Sequence, residues 1–212
     1  RFIELGMEII AAAKREGVPR SEMLERLRNI EGAWWPGVEG PVRARVLKDL
    51  NKYPPPGQIV PVMEPVHDRL ALEVMRGCVR GCRFCQAGMI TRPVRERDAS
   101  ALVQAAAEGI ADSGYAEVSL LSLSTSDYTG LGETVAGIQD ELAGQRTNLA
   151  LPSLRVDSVD AGLFSRISQE KPGSFTFAPE AGSQRLRDVI NKNITEDDIV
   201  GTARQALEAG VK

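Results

Sequence analysis

Histidine and long apolar runs are both scarce in this chain. The chain has one histidine, His67, so a Ser–His or Cys–His catalytic arrangement is not expected. The longest stretch without a charged residue, residues 53–63, contains four prolines. It falls far short of the roughly 20 apolar residues that a membrane helix requires. We therefore expect a soluble protein without membrane contact.

Positive charge is also in short supply. Lys and Arg number 26 against 29 Asp and Glu, which gives a formal net charge of -3. A chain with this balance has no overall attraction for nucleic acid, so such a partner would need a local basic patch.

All three cysteines lie within the stretch RGCVRGCRFC, residues 76–85. An odd number of thiols does not suit a disulfide framework, and unpaired thiols favour a reducing compartment, which predicts the cytoplasm. Cys78, Cys82 and Cys85 have the spacing C-x3-C-x2-C. Three thiolates on one loop can bind three irons of a 4Fe–4S cube, and the fourth iron would then be open to another ligand.

Zinc binding, simple electron transfer and structural burial are alternative roles for the cysteines. A structural zinc site needs four ligands, and His67 lies eleven residues before Cys78. A simple electron-transfer cluster would want a further cysteine, and inert buried thiols rarely come three to a loop.

Strand-like and helix-like segments alternate after the proline-rich stretch. Apolar runs at residues 69–75, 117–124, 147–154 and 174–179 are each followed by a helical pattern, and residues 210–212 resemble the start of a fifth strand. This alternation predicts an α/β fold with a parallel sheet, either a partial (β/α) TIM-like barrel or an open wound sheet. Both place chemistry at the carboxyl ends of strands, where the cysteines lie.

The segment before this series reads as a helical hairpin. Apolar residues recur at a helical period over residues 2–14, and a second helix is expected over residues 21–30. The domain prediction is therefore residues 1–52 for a helical hairpin and connector and residues 53–212 for the main domain, with four βα units and the start of a fifth strand.

The cysteine spacing after a first strand, with Phe84 directly before the third cysteine, resembles the signature of the radical S-adenosylmethionine (SAM) enzymes. The stretch from residue 70 to residue 98 is most similar to the methylthiotransferase-like branch and to radical enzymes with an N-terminal cobalamin-binding domain. The resemblance covers about residues 60–212. It favours the partial TIM-like barrel.

This resemblance implies an activity and its cofactors. SAM would chelate the open iron of a 4Fe–4S cluster, and one electron, from a donor such as flavodoxin or ferredoxin, would cleave it to methionine and a 5'-deoxyadenosyl radical. The substrate is unknown, methyl or methylthio transfer is one reaction class, and cobalamin would belong to a full-length protein. The alternatives are a zinc-stabilised module that binds RNA or protein and a simple Fe–S electron-transfer protein.

The resemblance also implies positions that bind SAM. Phe84 would lie against the adenine. Where family members carry a glycine-rich segment after the second strand, this chain has SLSTSDY, which offers Ser124 and Asp127 instead. Arg155 could bind the SAM carboxylate, or it could pair with Asp157.

Two further positions follow the fourth predicted strand. Glu180 would bind the ribose hydroxyls, with Ser183 as a helper or as the N-cap of the next helix. Arg185 and Arg187 are expected to be solvated helix positions.

Arginine is concentrated around the cysteines. Residues 76–97 contain one acidic residue, Glu96, and six arginines: Arg76, Arg80, Arg83, Arg92, Arg95 and Arg97. These cations would raise the reduction potential of a cluster and attract anionic groups, and RNA is therefore a possible partner. Glu73, in the first strand, is expected to point into the barrel and to need one of these arginines as a partner.

Overall fold

A computed structural model describes residues 2–55, 57–159, 161–168 and 175–210. The chain divides into two compact units, residues 1–48 and residues 49–212. This division falls a few residues before the boundary predicted at residue 52, and the assignment of functions to the two parts stays a prediction.

The first unit contains two α-helices, α1 (Phe2–Glu16) and α2 (Arg20–Arg28), which form a helical hairpin. Gly17 follows α1 with a φ of 67°, a conformation that glycine adopts without strain, and the chain reverses there. Arg26 of α2 forms an ion pair with Glu16 of α1, and the two side-chain atoms are 2.6 Å apart.

The second unit contains short strands and the remaining helices. The strands are β1 (Leu70–Glu73), β2 (Met75–Arg76), β3 (Arg95–Glu96), β4 (Glu117–Leu121) and β5 (Asn148–Ala150). The helices are α3 (Ala87–Ile90), α4 (Ala99–Ser113), α5 (Leu131–Glu141), α6 (Ala161–Ser168), α7 (Gln184–Val189) and α8 (Glu196–Glu208). Short 3-10 turns cover Thr125–Asp127 and Val156–Ser158.

A parallel sheet in the order β1-β4-β5 forms the centre of this unit. Because consecutive parallel strands need a crossover, α4 and α5 connect them and cover one face. The alternation predicted this parallel sheet, and the resemblance favoured its being the start of a (β/α) barrel. A separate antiparallel pair joins β2 to β3.

The main core lies between the sheet and these helices. Leu70 and Leu72 of β1 are almost fully buried, whereas Ala71 between them is exposed. Since side chains alternate along a strand, β1 turns its leucines toward the core and Ala71 and Glu73 toward the other face. The core residues of the covering helices include Leu102, Ala106, Ile110, Leu131, Val135 and Ile138.

Two helix ends carry well-defined caps. Gly114 ends α4 with a φ of 72°, and Thr195 begins α8 with a capping box. In that box the Thr195 hydroxyl accepts the Asp198 backbone N–H, and the Asp198 carboxylate accepts the Thr195 backbone N–H at 2.8 Å.

The fourth predicted strand departs from the expectation. Residues 175–179 have no strand conformation, while Ser174 and the predicted fifth-strand residues 211–212 lie outside the described residues. Phe175 and Phe177 instead pack edge-on against Phe164 of α6, with ring centroids 5.4 and 6.2 Å from it. The apolar alternation thus reflects aromatic packing along this segment.

None of the helices in the described ranges is long and apolar enough to cross a membrane.

Candidate functional site

The cysteine loop follows β1 and β2 directly. All three thiols are free and half-buried. Gly77, just before Cys78, has a φ of 96°, and a Cβ there would lie 2.9 Å from the Pro93 carbonyl oxygen and 3.0 Å from that of Thr91. Only glycine fits this close approach of two backbone segments, which directs the chain into the loop.

The Cys78 and Cys85 side chains line the same small space. A Cβ added to Gly88 would lie 3.9 Å from the Cys85 Sγ and 4.0 Å from the Cys78 Cβ, so both cysteines lie next to Gly88. The Arg80 backbone N–H donates to the Cys78 Sγ at 3.4 Å. Soft thiolate ligands on one loop, two of them beside the same glycine, suit an iron–sulfur cluster.

A mononuclear metal site finds no support here. Across the described ranges, no three His, Cys, Asp or Glu side chains are placed to bind one metal ion. The Nδ1 atom of His67, the candidate fourth zinc ligand, lies 2.7 Å from Nη2 of Arg69. In a 4Fe–4S cube each thiolate binds a different iron, so its ligands need not meet at one ion.

Arg80, between the first two cysteines, connects this loop to the ends of two strands. Its Nε donates to Asp127 Oδ2 at 2.8 Å, and its Nη2 donates to Asp127 Oδ1. Its Nη1 donates to Asp157 Oδ2 at 3.2 Å. Asp127 follows β4 and Asp157 follows β5, so one guanidinium joins three consecutive βα junctions. The hydrogen bonds to Asp127 raise the pKa of Arg80, although burial opposes this.

Asp127 is held as a carboxylate. Burial alone would raise its pKa, but hydrogen bonds from Arg80 and Ser124, with the charges of Arg80 and Arg155, together lower it below the ordinary 3.8. The Ser124 hydroxyl donates to Asp127 Oδ2 at 2.7 Å, and its side chain is buried. The structure therefore brings these two predicted site residues together beside the cysteine loop.

Arg155 joins the same network. Its Nε donates to Asp157 Oδ1 at 2.9 Å and its Nη2 to Asp157 Oδ2 at 3.0 Å, so the expected alternative to cofactor binding is what the structure contains. The Nη2 also donates to the Lys192 carbonyl oxygen. The Lys192 ammonium in turn donates to Glu180 Oε1 at 3.1 Å. A continuous chain of polar contacts thus runs from Arg80 to Glu180.

Glu180 and Ser183 lie on the segment before α7. Glu180 has a left-handed φ of 69°, which is uncommon for a residue with a side chain, and such positions concentrate at functional sites. Ser183 is the N-cap of α7, where its hydroxyl accepts the Leu186 backbone N–H. The capping alternative for Ser183 is therefore confirmed.

The end of α7 also holds the cysteine loop. The Arg83 backbone N–H donates to the Ile190 carbonyl at 2.9 Å, and the Asn191 side chain donates to the Gly81 carbonyl at 2.8 Å. A Cβ on Gly81 would lie 3.0 Å from the Asn191 amide nitrogen, so glycine permits this contact.

Phe84 and Arg187 differ in how far their side chains are exposed to solvent. Phe84 is 55% exposed, so its ring is available to a ligand rather than packed beneath the loop. Arg187, expected to be solvated, is 2% exposed, and that expectation was wrong. Its guanidinium donates to the carbonyls of Ile194, Ala181 and Gly182, which lie in the segments on either side of α7.

Sequence reasoning missed several residues that build this site. It gave Asp157 only the role of a surface partner for Arg155, and it did not anticipate the roles of Arg80, Lys192 and Asn191. The strand-end position of Asp157 was the one available signal, because residues after parallel strands converge at one edge of the sheet.

The comparison with known families agrees with this geometry. The family model of the Radical SAM superfamily matches residues 72–212. The chain belongs to the radical SAM superfamily.

Two relatives come from Methanocaldococcus jannaschii. The protein MJ0966, which carries no assigned function in its name, is 34% identical over 185 residues, 82% of this chain and 40% of MJ0966. "Putative methylthiotransferase MJ0865" is 29% identical over 154 residues, 66% of this chain and 33% of that protein. The radical SAM chain thus spans well under half the length of these relatives.

The fold is similar to that of a solved radical enzyme. The cobalamin-dependent S-adenosylmethionine radical enzyme OxsB superposes with a TM-score of 0.55 at 14% identity, over 68% of this chain and 23% of OxsB. At this identity the likeness shows the fold, and it confirms the partial barrel.

Proposed function

We propose that this chain is the core of a radical SAM enzyme that binds a 4Fe–4S cluster through Cys78, Cys82 and Cys85 and reductively cleaves SAM. The observation that supports this most is the three-thiol loop at the carboxyl ends of the strands, anchored by Arg80. When bound, the cluster and SAM supply one-electron chemistry that yields methionine and a 5'-deoxyadenosyl radical.

The chain's own residues would hold and orient these groups. Phe84, with its exposed ring, would stack on the adenine. Glu180 keeps one carboxylate oxygen without a hydrogen bond to any described residue, which suits a ribose hydroxyl. Direct SAM contacts of Ser124, Asp127, Arg155 and Ser183 stay predictions, because each is bonded to neighbouring protein groups.

Metal analysis tests the cluster assignment. Anaerobically purified and reconstituted protein should contain about four irons and four sulfides per chain, with visible absorbance that dithionite bleaches. We expect Cys82→Ala to lose the cluster, while Arg204→Gln, at an exposed position on α8, keeps it. Full iron content in Cys82→Ala would refute the ligand assignment, and one zinc per chain would favour the zinc-stabilised module.

Product analysis tests the reaction. Reduced protein incubated with SAM should release 5'-deoxyadenosine, which a simple electron-transfer protein does not form. Reduced flavodoxin or ferredoxin in the cytoplasm would be the physiological electron source.

The similarity to MJ0865 supports methylthio or methyl transfer as the reaction class of the full-length protein. SAM with a labelled methyl group should transfer its label to the substrate in either case. Cobalamin that copurifies with the full-length protein would favour a cobalamin-dependent reaction.

A further inference from the structure

Two arginines lie opposite each other beside the cysteine loop. In the antiparallel pair of β2 and β3, Arg76 is directly opposite Arg95. Side chains at opposing positions share one face, and like charges placed there destabilise the pair. This arrangement therefore calls for a compensating negative charge.

Only part of that negative charge comes from the protein. Glu73 accepts from Arg76 Nε and Nη2, both at 2.7 Å, and its Oε2 lies 3.8 Å from Arg97 Nη2. Glu96 is turned away, since its carboxylate accepts the Thr129 backbone N–H and hydroxyl.

The charges near Glu73 do not balance. Its carboxylate faces Arg76, Arg95 and Arg97, so two positive charges remain in excess among the described residues. Arg97 is already engaged by backbone carbonyls. Backbone carbonyls carry no formal charge, so the excess of two positive charges is shared by Arg76, Arg95 and Arg97.

Arg95 is the less satisfied of the two. Its Nε is buried without a hydrogen-bond partner among the described residues, and its Nη2 lies 3.5 Å from the Thr91 carbonyl, at the limit of a hydrogen bond. Burial and the charge of Arg76 lower the pKa of Arg95, and Glu73 opposes this only in part. A buried charged donor without a partner is costly, so a fold retains one where a ligand satisfies it.

The pair faces the side of the sheet where a barrel holds its substrate. Leu70 and Leu72 pack toward the helices, so Glu73 lies on the opposite face, which is the interior of the partial barrel. Arg76 bonds to Glu73 and precedes Cys78 by two residues, and its side chain is 44% exposed. A ligand at the pair would therefore lie beside the cysteine loop and remain accessible from solvent.

We propose that Arg76 and Arg95 form a site for the phosphate monoester group of the substrate. The proposal rests on the proposed function, because the phosphate would anchor the molecule on which the radical acts. A dianionic phosphate monoester matches the two excess charges, and guanidinium groups bind phosphate oxygens through paired, charge-assisted hydrogen bonds. One such ligand would relieve the repulsion between the two arginines.

Equilibrium binding to the reconstituted protein tests the site. Inorganic phosphate and ribose 5-phosphate should both bind, and Arg95→Gln and Arg76→Gln should each weaken binding by about tenfold or more. Arg204→Gln, an exposed arginine on α8, should bind as the wild type does. Wild-type affinity in Arg95→Gln, or an equal loss in Arg204→Gln, would overturn the proposal. Binding of a short RNA with hydroxyl ends, but not of either monoester, would also overturn it in favour of phosphodiesters.

Thermal stability separates a ligand-binding role from a structural one. Because Arg95 Nε has no hydrogen-bond partner among the described residues and Arg76 repels its charge, Arg95→Gln should unfold at or above the wild-type temperature without phosphate. Phosphate should raise the unfolding temperature of the wild type more than that of Arg95→Gln. A large drop in the unfolding temperature of Arg95→Gln without phosphate would show that Arg95 supports the fold, and the site would be rejected.

The same samples keep this proposal distinct from the proposed function. Iron content and 5'-deoxyadenosine release are measured beside phosphate binding. Phosphate binding that depends on Arg95 in a protein without iron would reject the radical function alone. A complete cluster with no phosphate binding would reject the phosphate site alone.

Discussion

Arg80 donates hydrogen bonds to both carboxylate oxygens of Asp127, although the two residues lie 47 positions apart in the chain. The contact joins the cysteine loop to the end of β4, and the Asp127 side chain is 6% exposed. A two-pronged bond of this kind fixes orientation as well as distance. The Arg80 backbone N–H that donates to Cys78 is thereby fixed with it.

Breaking this pair should loosen the cluster. Asp127→Asn should lower the free energy of unfolding by about 2 kcal/mol and speed the release of iron to a chelator, because the Arg80 guanidinium loses its charged partner. Asp140→Asn, at an exposed position on α5, is the matched control. The double variant Arg80→Met/Asp127→Asn should cost less than the sum of the single variants, and strict additivity would contradict the coupling.

The contribution of Asp127 should depend on pH in a defined direction. Because its folded-state pKa is lowered below 3.8, the stabilisation is complete above about pH 4 and is lost as pH falls through the lowered value. Urea unfolding of cluster-free wild type and Asp127→Asn should therefore differ most at neutral pH, and the difference should shrink as the pH falls below about 4. A difference that grew on acidification would refute this assignment.

Gly77 should tolerate substitution worse than another glycine of similar backbone conformation. Gly77→Ala forces an L side chain to a φ of 96° and places its Cβ 2.9 Å from a backbone oxygen, so we expect a loss of at least about 2 kcal/mol. Gly114→Ala has a similar φ but open space, and should lose about 1 kcal/mol. Thermal denaturation compares the two, and equal losses would mean that the close approach to Pro93 contributes nothing.

The capping box of α8 makes a separate prediction about stability. Thr195→Ala removes a hydroxyl that accepts the Asp198 N–H and should lower the free energy of unfolding by about 1 kcal/mol. Thr195→Ser retains the hydroxyl and should stay close to the wild type in chemical denaturation. Similar losses in both variants would indicate that the methyl group of Thr195, not the cap, carries the effect.

The sequence predicted the elements of the fold better than the contacts of the site. The runs that contain Leu70, Val118 and Leu149 became parallel neighbours, because their apolar patterns require burial between crossover helices. The run around Phe175 reads similarly but packs its rings on α6, and a short apolar pattern does not distinguish the two outcomes.

For the candidate site, topology brought Ser124, Asp127 and Arg155 toward the cysteine loop, since the ends of parallel strands meet at one edge, whereas Glu180 follows a segment that is not a strand. The hydrogen-bond partners of these side chains could not be predicted from the sequence. Arg155 forms an ion pair with Asp157, which was one of its two predicted roles. The burial of Arg187 depends on backbone carbonyls that surround its guanidinium.

The sequence by itself determined the three-cysteine loop after a strand, the order of the first βα units and the Ser183 cap, because residue spacing, apolar periodicity and capping residues act between near neighbours in the chain. Only the tertiary structure decided that Arg80 would meet Asp127 and Asp157, 47 and 77 residues away, and that Arg76 would face Arg95. Such contacts depend on strand register and on the convergence of strand ends, which local sequence does not specify.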